Sequence, residues 1–303
     1  MLTPVVIFVY NRPQHTRRTI EALANNFLAK ETEVFIYSDS AKNNSNIELV
    51  NETRNYIDTL TNLNYFKKTE IIKAKKNKGL ANSIISGVSE IIDRYGKVIV
   101  VEDDLISSND FLSYMNSALD FYKNNEIIWS ISGFNIPIEI PSDYSHDVYL
   151  SYRGCSWGWA TWKDRWDKVD WNVSDYNKFK IDKKLRKKLN RGGRDMANML
   201  DMQMEGKIDS WAIRWCYSQS KQSRLTVYPI KTRIKNIGLD GSGTHSGIST
   251  RYDFEFSNNN ELCNFENVEL NKFILKRFQN HYMKLHHYYL YRLKKLIKNL
   301  SGK

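Results

Sequence analysis

The chain has 303 residues, 41% of them hydrophobic and 13% aromatic, enough apolar material for a sizeable core, which excludes global disorder. Its net charge of +11 is uneven: nine of the 45 Lys and Arg residues fall between Leu270 and Lys303, a stretch with no Asp or Glu. Taking those nine away leaves 36 basic against 34 acidic residues, so the body is nearly neutral and no nucleic-acid partner is expected.

Val5 to Tyr10 is a continuous apolar run without a basic stretch before it. It reads as a strand covered on both faces, as in parallel sheets, rather than as a signal peptide. Asn11-Arg12-Pro13 ends it. The spacing of Ile20, Leu23, Ala24 and Phe27 predicts a helix over Thr16 to Leu28. Val34 to Tyr37 is a second strand, stopping at Asp39, and Ile47 to Leu60 a second helix. Glu70 to Lys73 is a short third strand, and Ala81 to Tyr95 a helix with one apolar stripe. Val98 to Val101 is a fourth buried strand, running directly into Glu102-Asp103-Asp104. Alternation of this kind predicts a doubly wound α/β sheet with its ligand beyond the strand C-termini. No G-x-G-x-x-G follows any strand, which argues against dinucleotide binding. Asp110 to Lys123 is a further helix. Beyond it come strand-like pieces at Ile127 to Ile131, Val148 to Tyr152 and Arg224 to Pro229. Lys178 to Arg194 is very basic and fits either a loop or a helix plus turn.

Three carboxylates at one strand end repel one another and are costly unless a cation sits among them. Hard oxygen ligands suit Mn²⁺ or Mg²⁺, which would neutralise charge on a leaving diphosphate. The bland alternative is a solvated acidic turn ahead of the next helix.

In order, Tyr10-Asn11-Arg12-Pro13, Asp39, Asn77-Lys78-Gly79-Leu80, Glu102-Asp103-Asp104, Ser156-Trp157-Gly158-Trp159, Asp209-Ser210-Trp211, Asn236-Ile237-Gly238 and Gly243-Thr244-His245 resemble the GT-A nucleotide-sugar glycosyltransferases. The likeness is to bacterial family 2-like enzymes and the related family 13 N-acetylglucosaminyltransferases, and spans Thr3 to Gly247. It implies a GT-A (Rossmann-like) mostly parallel sheet flanked by helices, and an inverting transfer of sugar from a nucleotide diphosphate, a UDP-sugar, to a glycan or lipid-linked hydroxyl. Asp104 would be the direct metal ligand, joined by His245 from a glycine-rich loop. Glu102 and Asp103 would hold ribose, sugar or metal-bound water. Tyr10, Asn11, Arg12, Asp39, Asn77 and Gly79 would line the nucleotide, with Asp39 on the base. Asp209 would be the general base, although the family 13 pattern has a second acid where Ser210 stands here. Asp164, Asp167 and Asp170 compete for that role, and Asp209 has a structural alternative as the cap of the following helix.

Among the clustered tryptophans, Trp157, Gly158 and Trp159 are the candidates for the donor sugar: rings for its C–H faces, a glycine for close approach. The other tryptophans fit a packed core. His15, His146, His281, His286 and His287 read as surface or tail residues.

Leu270, Ile274, Phe278, Tyr282, Leu285, Tyr289, Leu293, Leu296 and Leu300 recur every three or four residues among lysines and arginines. A basic amphipathic helix of this kind suits an anionic membrane surface; docking on the body or on a second copy are its alternatives. No stretch approaches the roughly 20 apolar residues that span a bilayer. Cys155, Cys216 and Cys263 form neither a disulfide framework nor a zinc motif, which fits the cytoplasm. The expected organisation is thus a nucleotide-sugar half over 1–126, an acceptor and catalytic half over 127–257, and a tail over 258–303, peripheral on the inner face of the membrane. A metal-dependent nucleotidyltransferase and a non-catalytic glycan or membrane binder are the rival readings. The first should carry a glycine-rich basic loop after its first strand, which Asn11-Arg12-Pro13 is not.

Overall fold

A computed structural model describes residues 1–242, 252 and 263–283. Strands β1 (Val5–Val9), β2 (Glu33–Ser38), β3 (Lys68–Lys73) and β4 (Lys97–Glu102) alternate with helices α1 (Pro13–Ala24), α2 (Ile47–Thr59) and α3 (Leu80–Tyr95). After the short β5 (Leu105–Ser107) come α4 (Phe111–Tyr122), β6 (Ile128–Ser132), β7 (Val148–Ser151) and β8 (Trp159–Trp162). Helices α5 (Lys163–Trp166), α6 (Tyr176–Ile181), α7 (Lys183–Leu189), α8 (Met196–Met204) and α9 (Trp211–Lys221) precede β9 (Leu225–Pro229), β10 (Ile234–Asn236) and α10 (Lys272–Tyr282).

Eight strands form one sheet in the order β3-β2-β1-β4-β8-β6-β9-β7. The pairings make β1, β2, β3, β4, β6 and β9 parallel, with β8 and β7 running against them. This is the mostly parallel α/β sheet the sequence predicts, and it continues unbroken across residue 126. Because side chains alternate along a strand, Val5, Ile7 and Val9 enter one core layer while Val6 and Phe8 enter the other. The first layer packs on α1, α2 and α4, the second on α3, α8 and α9. That two-sided burial is why β1 needs an unbroken apolar run.

Several expectations shift. Helix α1 stops at Ala24, short of Leu28. Asn26 instead anchors the turn before α4, its side-chain amide donating to Ser107 Oγ at 3.0 Å and its carbonyl accepting the Leu112 N–H at 2.9 Å. Lys178 to Arg194 contains two short helices, with the Asp182 carboxylate capping α7 through the Lys184 and Leu185 N–H groups. Strand β8 was hidden in the sequence inside the tryptophan-rich segment.

The C-terminal segment differs most. Ile274 and Phe278 are buried against the body, where the Phe278 ring meets Tyr149, Tyr228 and Tyr282. Ahead of α10, the Phe265 ring lies on Tyr114 and Tyr122. Each such buried side chain stabilises docking by about 1.5–3 kcal/mol, so the apolar stripe of α10 faces protein, not lipid. The remainder of the basic tail, and the boundary at 257/258, lie outside the described residues.

Candidate active site

The C-terminal ends of β1, β2 and β4 bring the predicted residues to one edge. At the end of β4 the side chains of Asp103 and Asp104 converge on a single nitrogen: Arg12 Nη2 stands 2.5 Å from Asp103 Oδ1 and 2.7 Å from Asp104 Oδ2. Burial alone would lower the Arg12 pKa, but these two carboxylates outweigh it and hold the guanidinium above its ordinary range. Its other terminal nitrogen, Nη1, is buried without a partner among the described residues.

The backbone around the acids is fixed on both sides. Thr19 Oγ1 donates to the Asp103 carbonyl at 2.8 Å and accepts the Leu105 N–H at 3.1 Å. Strands β5 and β10 pair antiparallel, which carries Asn236-Ile237-Gly238 to the acids. There the Ile237 N–H donates to the Asp104 carbonyl at 2.8 Å. Gly238 is so close that an added Cβ would lie 2.0 Å from Asp104 Oδ2 and 2.7 Å from Arg12 Nη1. Burial first, then repulsion from Asp104 and Asp103, pushes Glu102 up to about 8. Asp103 is also raised by burial, against the downward pull of Arg12.

Asp39 ends β2 in a different manner. Its Oδ1 accepts the Ser40 and Lys78 N–H groups at 2.8 and 2.9 Å, and its Oδ2 accepts the Gly79 N–H at 2.9 Å and the Asn77 amide at 3.1 Å. Both oxygens are therefore committed to the turn that opens α3. Arg54, which the sequence reading missed, ties this corner to its surroundings through the carbonyls of Asp39 and Ala74. Gly79 has φ +77°, a left-handed conformation that favours glycine. Tyr10 contributes its N–H to Asp103 and its hydroxyl accepts the Lys42 N–H at 2.9 Å. Asn11 lies half-buried between that tyrosine and Arg12.

Asp209 comes to the same edge from the other half of the chain, its Oδ2 lying 3.6 Å from where a Gly79 Cβ would stand. It does not cap α9; Ser210 does, accepting the Ile213 N–H at 3.3 Å. The Asp209 side chain is 53% exposed, with the Arg214 guanidinium 3.9 Å away. Its three competitors are engaged locally: Asp164 with Arg165, Asp167 with Lys163, and Asp170 with the N–H groups of Asn172 and Ser174.

Two of the three sugar-facing candidates belong to the core. Trp159 is fully buried, stacked between Trp166 and Trp211. Gly158 is closed off by Ile234, whose Cγ1 would lie 2.6 Å from an added Cβ. The pairing of β8 between β4 and β6 places Trp159 in the sheet, and the Gly133 N–H donates to the Gly158 carbonyl at 2.7 Å just ahead of it. Trp157 alone faces open space, against Phe134 and Tyr252, on the wall of a cavity of about 260 Å³ that also touches Ser210. His15, read from the sequence as a surface residue, sits instead at the edge of the acid cluster, its Nε2 3.1 Å from Asp240 Oδ2 and 3.3 Å from the Ile237 carbonyl. His245 lies outside the described residues.

The chemistry of the donor set fits a hard divalent cation in part. No three His, Cys, Asp or Glu side chains among the described residues form a metal cage. Mg²⁺ commonly uses one or two carboxylates and completes its shell with phosphate oxygens and water. Two carboxylates already converging on one cationic atom meet that requirement. No helix among the described residues is long and apolar enough to cross a membrane.

Residues 5–135 match the family model described as Glycosyl transferase family 2. No curated protein matches. Among solved structures, the chain is similar to S. aureus TarS, at 13% identity and a TM-score of 0.35, covering 50% of this chain and 25% of that one. It is also similar to S. aureus TarS 1–349, at 10% identity and a TM-score of 0.44, covering 77% of this chain and 60% of that one. The chain thus spans 25% of the first of these proteins and 60% of the second. Residues 5–135, somewhat less than half of the chain, are thus similar to glycosyl transferase family 2, and the strand order is that of a mostly parallel α/β sheet of GT-A type.

Proposed function

We propose that the protein is an inverting glycosyltransferase. It moves a hexosyl or N-acetylhexosaminyl unit from a UDP-sugar to a hydroxyl of a bacterial surface glycan or lipid-linked acceptor. The observation that carries this reading is the convergence of Asp103 and Asp104 on one cationic atom at the strand edge that Asp209 also approaches. Asp104 would hold Mn²⁺ or Mg²⁺, with His245 a further candidate ligand, and the ion would neutralise charge on the departing diphosphate. Asp209 takes the proton from the acceptor hydroxyl as its oxygen bonds to the anomeric carbon and the bond to the diphosphate breaks. Its exposure lets an incoming hydroxyl reach it. Asp39 supports the site through the turn it holds, and Trp157 offers a ring to a sugar bound in the adjoining cavity. The basic residues after Met283 are proposed to hold the enzyme peripherally on the cytoplasmic face of the membrane.

A thermal-shift screen of UDP-, GDP-, CMP- and dTDP-sugars, with and without Mn²⁺, tests the donor reading, because ligands of the native state raise its apparent stability. The expected result is a Mn²⁺-dependent rise with UDP-sugars that Asp104→Ala abolishes. No shift with any donor on folded protein would overturn it. Asp209→Asn should keep the donor shift while transfer falls by about 10²–10⁴-fold; near-normal turnover would assign the base elsewhere.

A further inference from the structure

The corner between α6 and α7 has a composition that neither the fold nor the transfer chemistry explains. Nine basic residues and one acid lie between Lys178 and Arg194. Some of the cations are used internally: Arg186 pairs with Asp201 at 2.7 Å, and Lys188 donates to the Lys221 carbonyl at 3.0 Å. Lys178, Lys180, Lys183, Lys184 and Lys187 are exposed, and no carboxylate among the described residues pairs with them. Asp182, the one acid in their midst, uses its carboxylate to accept the Lys184 and Leu185 N–H groups. Glu205 is paired with Lys207 at 2.6 Å, and Asp175 with Lys221 at 3.3 Å.

Between Lys180 and Lys183 in the chain stands Ile181, 81% exposed. It ends α6 and immediately precedes the cap of α7, so it occupies the apex of the turn. Phe179 and Leu189, both buried, fasten the two helices to the body, and Ile181 has no share in that packing. A single exposed isoleucine is ordinary on a protein surface. One at the turn between two helices, flanked in sequence by five exposed lysines that form no ion pair among the described residues, exposes apolar surface where a serine would be better solvated.

We propose that this corner is a docking surface for an anionic lipid bilayer: the lysines meet headgroup phosphates while Ile181 enters the apolar boundary beneath them. Charge complementarity alone would equally suit a soluble polyanion. The exposed isoleucine at the apex favours the bilayer, which has an apolar layer under its phosphates. The inference is independent of the donor reading, since binding is measured without donor or metal. It is also separate from the contribution of residues beyond Met283, which both variants below retain.

The test is co-sedimentation of the full chain with phosphatidylglycerol-containing vesicles, with pure phosphatidylcholine vesicles and soluble polyphosphate as companions. Each lysine near an anionic surface strengthens binding roughly fivefold. The combined change Lys183→Gln, Lys184→Gln and Lys187→Gln should therefore lower the partition coefficient on the order of 100-fold. Ile181→Ser should lower it about tenfold, the value of losing one buried aliphatic side chain, and leave polyphosphate binding unchanged. Vesicle binding unaltered by the lysine changes would overturn the proposal. Loss with the lysine changes but none with Ile181→Ser would also overturn it, in favour of a polyanion.

Discussion

Two carboxylate sites share one sheet edge and are stabilised in opposite ways. Asp39 is held by backbone: three N–H groups and an amide, all from the turns on either side of it, saturate its oxygens. Asp104 is held among the described residues by one side chain, Arg12, arriving from the start of α1, and Asp103 by the same guanidinium beside a single backbone donor, the Tyr10 N–H. Backbone donors cannot leave without unfolding the turn, whereas a guanidinium on a flexible stem can swing aside. Asp39 is thus built to fix a loop, and the acid pair is built to exchange one cation for another. A strand-end aspartate is no guide to ligand contact until its donors have been counted.

The sharpest test of this contrast is Arg12→Met. Breaking a buried pair by removing one partner costs about 3–5 kcal/mol, and this change leaves two acids facing each other. Calorimetry should show a large fall in Tm without metal and substantial recovery with Mn²⁺, because the ion occupies the position the guanidinium has left. Loss without recovery would mean that the acids do not accept a metal.

Asp39→Ala should cost less, about 1–3 kcal/mol for backbone donors left unsatisfied, and Mn²⁺ should not restore it. Hydrogen exchange should speed up at Lys78 and Gly79 while the metal response through Asp104 persists. An Asp39→Ala protein as stable as the parent would break the comparison from the other side.

The pH dependence separates the sites further. Glu102 binds its proton up to about 8 in the folded protein, through burial and the neighbouring acids. Its unfolded counterpart releases it near an ordinary glutamate value of about 4.3. The folded state therefore binds more protons across that window, so its stability is greatest below it and falls as pH rises towards about 8. Melting of the metal-free protein should show this decline, and Mn²⁺ should flatten it.

The first four strands were legible because burial on both faces demands continuous apolar runs such as Val5 to Val9, and their polar ends marked the edge. Order along the chain also brought Asp209 into consideration, although no periodicity places it beside Gly79. What the sequence could not convey was direction. Trp157 and Trp159 are two residues apart, a spacing that would put both on one face of a continuous strand. Strand β8 begins only at Trp159, and Gly158 with φ +59° turns the chain between them, so that one lines the cavity and the other the core. Likewise the stripe containing Ile274 and Phe278 is equally suited to lipid and to protein. The complementary surface of Tyr149 and Tyr228 decides the matter, and those residues lie over 40 positions away in the chain. Gly238 was marked only through the resemblance of Asn236-Ile237-Gly238; its role, leaving room for Asp104 and Arg12, has no local pattern of its own.

That space yields the smallest effect and the finest probe. Gly238→Ala removes no charge and no hydrogen-bonding group, but its methyl would overlap Asp104 Oδ2 and crowd Arg12 Nη1. Relieving such overlap typically costs about 1–3 kcal/mol when the surroundings are rigid. Here the yielding element is a side chain held, among the described residues, by Arg12 alone, so the cost should fall at or below the lower end, with Asp104 displaced from its partner. Stability should therefore change little while the Mn²⁺-dependent shift weakens markedly, a split between fold and site that Asp39→Ala should show in reverse. An unchanged metal response would mean that the position of Asp104 beside Arg12 is irrelevant to the ion, and the idea of one cation replacing another at this edge would have to be abandoned.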